Sequence, residues 1–244
     1  MKKIIFILFV LLLFTASHIE ARGLYWENMN VDIYILENSD IRVAEEMEYV
    51  FTGEWNGGRR YLDTSRVDEI TNIEVWENDL QYKKSSSLNK YEFDIDYSDR
   101  YRPDIRWRSR NVDEAPYDST HKTFILKYTV KGAIKNEKDY DQLHWKAVFE
   151  DRDGESGTGN VNNARVRLHF PVKVKPEDLR VILYSNNTSG RWQIVNPYLI
   201  EFTGSGLAPY EIFEIKVDFP KGIVRPYFSQ KKFMSRYVNP LIMI

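Results

Sequence analysis

Apolar and polar residues alternate along most of this chain with a period of two. In "IRVAEEMEYVF" the side chains of Ile41, Val43, Met47, Tyr49 and Phe51 share one face, and Arg42, Glu46 and Glu48 share the other. That pattern predicts a strand with one wet side. Glu45 intrudes on the apolar face. The preceding "VDIYIL" connects through "ENSD", a short polar link that predicts a hairpin.

The same alternation returns downstream. Phe124, Leu126, Tyr128 and Val130 alternate with Thr123, Ile125, Lys127 and Thr129, and Leu143, Trp145, Ala147 and Phe149 alternate with His144, Lys146 and Val148. Ala164, Val166, Leu168 and Phe170 alternate with Arg165, Arg167 and His169, and Phe213, Ile215, Val217 and Phe219 with Ile212, Glu214, Lys216 and Asp218. Helical periodicity is confined to a single turn at Pro176 to Leu179, where a proline and two acids suit a first turn. "YKKSSSLNK" and "DRDGESGTGN" read as surface loops, and no repeat of fixed period is present. The expected fold is all-β: an antiparallel β-sandwich of about ten to twelve short strands, preceded by an N-terminal signal helix.

The beginning of the chain breaks the alternation. Lys2-Lys3 precede an apolar run from Ile4 to Phe14, and Thr15-Ala16-Ser17 follow. This order of charge, apolar stretch and small residues is that of a secretory signal, and the run is shorter than the roughly 20 residues of a membrane-spanning helix. Cleavage is expected after Ser17 or after Ala21, with an uncleaved anchor as the alternative. The organisation that follows is a signal peptide over 1–21, an extracytoplasmic β-sandwich domain over 22–222, and a basic, aromatic connector or truncated start of a membrane segment over 223–244.

Charge then excludes one class of partner. With 34 basic and 36 acidic residues the chain carries −2, and removal of Lys2 and Lys3 leaves 32 against 36, or −4. A nucleic-acid protein is not expected. The chain has no cysteine, so a protein sent to an oxidising compartment must be stable through burial alone. Aromatic residues make up 14%, which suits pleated, half-buried surfaces. Together these point to an exported cell-envelope protein, membrane-associated or secreted.

The order of several segments resembles the extracytoplasmic N-terminal domain of the YciQ-like family of predicted membrane proteins. The segments are "FTGEWNGGRR", "FILKYTVKGAI", "LHWKAV" with Trp145, "ARVRLHFP" and "IEFTGSGLAPYEIFEIKVDFPKGIV", and the resemblance runs from about Trp26 to Val224. It implies a signal peptide, this β domain, a short connector and then membrane helices. After "FPKGIVRPYFSQKKFMSRYVNP" the chain instead ends on "LIMI".

Candidate chemistry is sparse. Trp55, Arg59 and Arg60 form the first interaction candidate, because guanidinium groups make bidentate pairs with carboxylate or phosphate and Gly57-Gly58 could bring backbone N–H groups to the same anion. The competing reading is a turn whose glycines take positive φ, with the arginines solvated or packed on Trp55. Asp151, Asp153 and Glu155 fail the calcium-loop pattern, with Gly154 fourth and Asn162 twelfth where a sixth glycine and a twelfth glutamate are needed. Asp94, Asp96 and Asp99 read as a solvated acidic face, and His121, His144 and His169 lack metal-ligand spacing. No nucleophile elbow or phosphate loop is present, so no catalytic residue, cofactor or metal is expected.

The segment from Pro220 carries Lys221, Arg225, Lys231, Lys232 and Arg236 without an acid, interleaved with Tyr227, Phe228, Phe233 and Tyr237. Each basic residue near an anionic bilayer is worth about 1 kcal/mol, so this segment is expected either to contact a membrane surface or to serve as a connector. The expected function is a non-enzymatic interaction or assembly domain with an envelope protein or polymer as partner. The alternative is a carbohydrate-binding module or glycan-active enzyme that stacks sugars on some of Trp26, Trp55, Trp76, Trp107, Trp145 and Trp192.

Overall fold

The computed structural model describes residues 22–99, 101–149, 152, 158–185 and 189–228. The stretch over 1–21 expected to be a signal therefore lies outside the described residues, as do Asp151, Asp153, Glu155, Lys231, Lys232 and Arg236.

The strands in chain order are β1 (Gly23–Ile35), β2 (Ile41–Gly53), β3 (Gly57–Tyr61), β4 (Glu69–Glu77), β5 (Leu80–Gln81), β6 (Lys83–Lys84), β7 (Glu92–Asp96) and β8 (Asp104–Arg108). They continue with β9 (Tyr117–Lys131), β10 (Ile134–Asn136), β11 (Tyr140–Val148), β12 (Thr158–His169), β13 (Arg180–Ser185), β14 (Arg191–Asn196), β15 (Leu199–Leu207) and β16 (Phe213–Pro220). The helical turn expected near Pro176 is a single 3₁₀ turn, Pro176–Asp178. The strand count exceeds the expected ten to twelve because pieces such as β5 and β6 are two residues long, too short to show a period.

Eight strands form a large sheet in the order β14-β15-β12-β1-β2-β9-β4-β5, and two four-stranded sheets have the orders β10-β11-β16-β13 and β3-β8-β7-β6. The two small sheets cover the inner face of the large one. Phe124 of β9 meets Trp107 of β8 at 5.4 Å between ring centroids, and Tyr128 of the same strand meets Trp145 of β11 at 6.2 Å. Phe213 of β16 packs on Gly204 of β15, where an added Cβ would come within 2.6 Å of the ring. The five aromatic residues of these contacts belong to one buried cluster.

The β1–β2 hairpin has the expected registers. Val31, Ile33, Ile35, Ile41, Val43, Met47 and Phe51 are at most 3% exposed, and Leu36 N–H closes the turn on the Asp40 carbonyl at 2.9 Å. The alternation slips once, between Trp26 and Asn28, where a bulge lets both Leu24/Trp26 and Met29/Val31 face inward. One departure concerns the centre of the sheet. β1 pairs with β12 in parallel, from Leu24↔Thr158 to Tyr34↔His169, while β1 and β2 are antiparallel. A parallel neighbour requires a crossover, which β2 through β11 supply.

Candidate functional site

Charge enters the core at the seam between the two small sheets. β2 brings Glu45 to the inner face of the large sheet with no exposure, and β3 brings Arg60 to meet it, 3% exposed. Arg60 Nε donates to Glu45 Oε2 at 2.8 Å, and Nη2 donates to Oε1 at 2.9 Å. Nη1 donates to the Tyr61 carbonyl at 2.9 Å, so every guanidinium nitrogen is used. Tyr128 of β9 donates its hydroxyl to Glu45 Oε1 at 2.6 Å. Burial works to lower the Arg60 pKa, but the charge and hydrogen bonds of Glu45 outweigh it and raise it. Burial, then the Glu45 charge, holds the Tyr128 hydroxyl well above its ordinary range, so it remains a neutral donor. A buried pair of this kind adds little net stability over apolar residues of the same volume, but losing one partner is costly because the other charge stays buried.

Outward of Arg60 lies a cleft of about 330 Å³ that includes Asp63, Arg66, Arg102, His144, Lys146 and Glu214 in its lining. Arg66 Nη1 lies 3.0 Å from His144 Nδ1, and His144 Nε2 contacts Glu214. A guanidinium only donates, so Nδ1 accepts and the ring proton sits on Nε2, facing the carboxylate. Asp63 accepts the Ser65 N–H at 2.9 Å. Burial pushes the Asp63 carboxyl up, yet the Ser65 hydrogen bonds and the Arg66 and Lys146 charges bring it below its ordinary value. At the rim, the guanidinium carbons of Arg59 and Arg102 each lie 4.4 Å from the Tyr61 ring centroid. With Arg60 neutralised by Glu45, three cations face two carboxylates in this lining, which suits a small anionic group.

The sequence-derived candidates separate. Arg60 is turned inward as the partner of Glu45, so the pairing occupies the fork that a ligand would need. Arg59 stays half exposed and pairs with Asp104 at 2.5 Å. Trp55 donates its indole N–H to the Gly23 carbonyl at 2.8 Å, and it is Arg22, not Arg59 or Arg60, that stacks on it, at 3.9 Å. Gly57 and Gly58 do not turn the chain with positive φ; they lie within β3. Their role is close approach, since a Cβ on Gly57 would come 1.9 Å from the Trp107 carbonyl oxygen and one on Gly58 would come 2.4 Å from the Trp107 ring. The positive φ belongs to Gly53, at 84°.

Asp94 and Asp96 share the outer face of β7, where Arg106 lies 3.9 and 3.6 Å from them. Among the described residues no group of three or more His, Asp or Glu side chains could hold a metal ion. His169 bonds Asp32 at 2.8 Å and stacks on Tyr34, and His121 bonds Glu48 at 2.9 Å. Trp26, Trp107 and Trp145 are core residues, whereas Trp192 is 46% exposed. Lys221 bonds the buried Asp141 at 2.7 Å. The Arg225 backbone is held at the β1–β2 turn, its N–H on the Glu37 carbonyl at 2.7 Å and its carbonyl under the Ser39 hydroxyl at 2.5 Å.

Sequence reasoning missed Arg152. Its fully buried guanidinium donates to the carbonyls of Phe149, Ala208 and Glu211 at 2.7 to 2.9 Å, and burial lowers its pKa to about 10. Nothing in its polar neighbourhood signals this. The Glu45–Arg60 pair did leave a signal, the acid on an apolar face.

The comparison that decides the family covers most of these strands. Residues 25–219 match the family described as predicted membrane protein (DUF2207) N-terminal domain. The chain belongs to the DUF2207 family. No curated protein matches the DUF2207 chain by sequence. Among solved structures it is similar to native leukotriene A4 hydrolase from Saccharomyces cerevisiae, with 12% identity and a TM-score of 0.45 over 80% of this chain and 29% of that one. It is also similar to the M1 zinc metallopeptidase from Deinococcus radiodurans, with 10% identity and a TM-score of 0.39 over 80% of this chain and 43% of that one. The DUF2207 chain thus spans less than half the length of either structure. Among its described residues no helix is long and apolar enough to cross a membrane.

Proposed function

We propose that this domain is a non-enzymatic interaction or assembly module of the cell envelope, exported and held at the outer side of the cytoplasmic membrane. The observation that carries the reading is the family match over residues 25–219, whose description is the N-terminal domain of a predicted membrane protein. The order of Lys2-Lys3, the Ile4–Phe14 run and the small residues after it supports export. The cleft supports binding over catalysis. The imidazole of its lining, His144, is held at Nδ1 by Arg66 and at Nε2 by Glu214, which leaves neither ring nitrogen open to exchange a proton with a substrate, while the lining keeps more cations than carboxylates for an anion to meet.

The test is fractionation of cells that express the full chain, followed by external protease and crosslinking. The expected result is protein in the membrane pellet, cleaved by protease added outside, with a discrete crosslinked product that R66A diminishes. Recovery of the intact chain only from cytosol sinks the reading. Turnover of any substrate by purified protein that R66A or H144A abolishes would replace it with an enzyme.

A further inference from the structure

On the outward face of the eight-stranded sheet most charged side chains are hydrogen-bonded, ion-paired or stacked across strands. Arg167 and His169 pair with Asp32, Asn30 bonds Glu46 at 3.1 Å, Asn28 bonds Glu48 at 2.6 Å, and Lys127 sits 4.7 Å from the Trp76 ring centroid. Arg165 and Arg191 depart from this rule. Both are exposed, and neither has a carboxylate partner among the described residues. The register places them on either side of one residue, Arg165↔Thr203 and Thr203↔Arg191, so they stand two strand spacings apart, about 10 Å.

These two cations border a shallow depression of about 620 Å³ whose lining includes Asn28, Asn30, Asn163 and Thr203. Each of the three asparagines donates an amide N–H to the protein, Asn28 to Glu48, Asn30 to Glu46 and Asn163 to the Glu27 carbonyl at 3.2 Å. Among the described residues no hydrogen bond reaches their Oδ1 atoms, which stay available as acceptors. The face therefore asks a ligand for two things at once: hydroxyl donors for the amide oxygens and anionic groups for the two guanidinium forks. A broad, open sheet surface suits a chain lying across the strands better than a small molecule enclosed in a pocket.

We propose that this depression binds an acidic polysaccharide, with acidic groups on Arg165 and Arg191 and sugar hydroxyls on Asn28, Asn30 and Asn163. The site lies on the layer opposite the cleft and needs neither the cleft nor the membrane location to be correct. It also differs from sugar stacking on tryptophan, since its contacts are polar.

Affinity electrophoresis of the full chain tests it with four polymers: polygalacturonate and phosphomannan as carboxylate- and phosphate-bearing polysaccharides, dextran as the neutral one, and polyaspartate as an anion without hydroxyls. The expected result is retardation by polygalacturonate or phosphomannan, at least about tenfold tighter than by dextran or polyaspartate, and weakened about tenfold or more by R165A/R191A. N163D, which adds a carboxylate to the depression, is expected to weaken it in the same direction, while R59A on the other layer leaves it unchanged. Retardation by neither acidic polysaccharide overturns the proposal, as does equal binding of polyaspartate or wild-type affinity in R165A/R191A with an unchanged unfolding midpoint.

Discussion

Glu45 and Arg60 carry opposite consequences depending on how they are replaced. Removing Arg60 alone leaves a carboxylate with no exposure facing a single neutral donor, Tyr128. R60M is expected to lower unfolding free energy by about 3–5 kcal/mol, and E45M/R60M to cost far less than E45M and R60M together. Urea denaturation of the four proteins in that cycle measures it, and an additive cycle would show that the two groups act independently. G58A is expected to destabilise by about 1–3 kcal/mol, because its Cβ would drive into the Trp107 ring; a thermal midpoint equal to wild type would contradict that packing. The sequence marked Glu45 as an intruder on an apolar face but gave no sign of its partner, since Arg60 belongs to a different sheet and alternation reports only which way a side chain points. The same limit explains Gly57-Gly58. A glycine pair beside polar residues looks like a turn, and only the position of Trp107 reveals that the missing side chains make room for a neighbouring strand.

At the scale of strands, alternation located the long elements because one face of each is buried, and it missed those that are too short or irregular to establish a period. It could not reveal that β12 lies parallel to β1, because a strand read alone has the same faces in either direction. One cross-strand group has a measurable pH signature. Glu48 of β2 accepts from Asn28 of β1 at 2.6 Å and from His121 of β9 at 2.9 Å, and the His121 bond, then that of Asn28, holds its carboxyl below the ordinary 4.5. The folded state thus binds this proton less readily than the unfolded chain. Its contribution is present above pH 4.5 and is lost as pH falls through the folded value. E48Q is expected to flatten the acid side of the stability profile, as read by thermal midpoints on descending from neutral pH, and an unchanged acid slope would show that the network does not couple to folding.

The whole molecule is closed at one end by residues from distant parts of the chain. Tyr227 donates its hydroxyl to Asp68 at 2.9 Å, its N–H reaches Asn136 Oδ1 at 3.2 Å, and its ring lies where a side chain on Gly132 would be. Partial burial first, then the bond to Asp68, pushes the Tyr227 hydroxyl up to about 12. Because the folded value lies above the ordinary 10, this contribution is complete below pH 10 and disappears as pH rises toward 12. Y227F is expected to be slightly less stable at neutral pH, by about 0.5–1.5 kcal/mol, and to lack that alkaline slope. Matched midpoints for the two proteins across the alkaline range would mean that the segment is not docked in solution. Lys221 and Arg225, read from the sequence as membrane-facing cations, are drawn into the same end, the first by its side chain on Asp141 and the second by its backbone.

The direction of β1 gives this end a counterpart. Its 13 residues run from Gly23 to Ile35, a span of about 40 Å, and the outgoing segment is fastened beside the turn that follows Ile35. The chain therefore enters the sandwich at one pole and leaves at the other. A tether ahead of residue 22 and a tether beyond residue 228 would suspend the molecule upside down relative to each other, so whichever of the two holds the domain would decide which pole faces its anchor and which faces away.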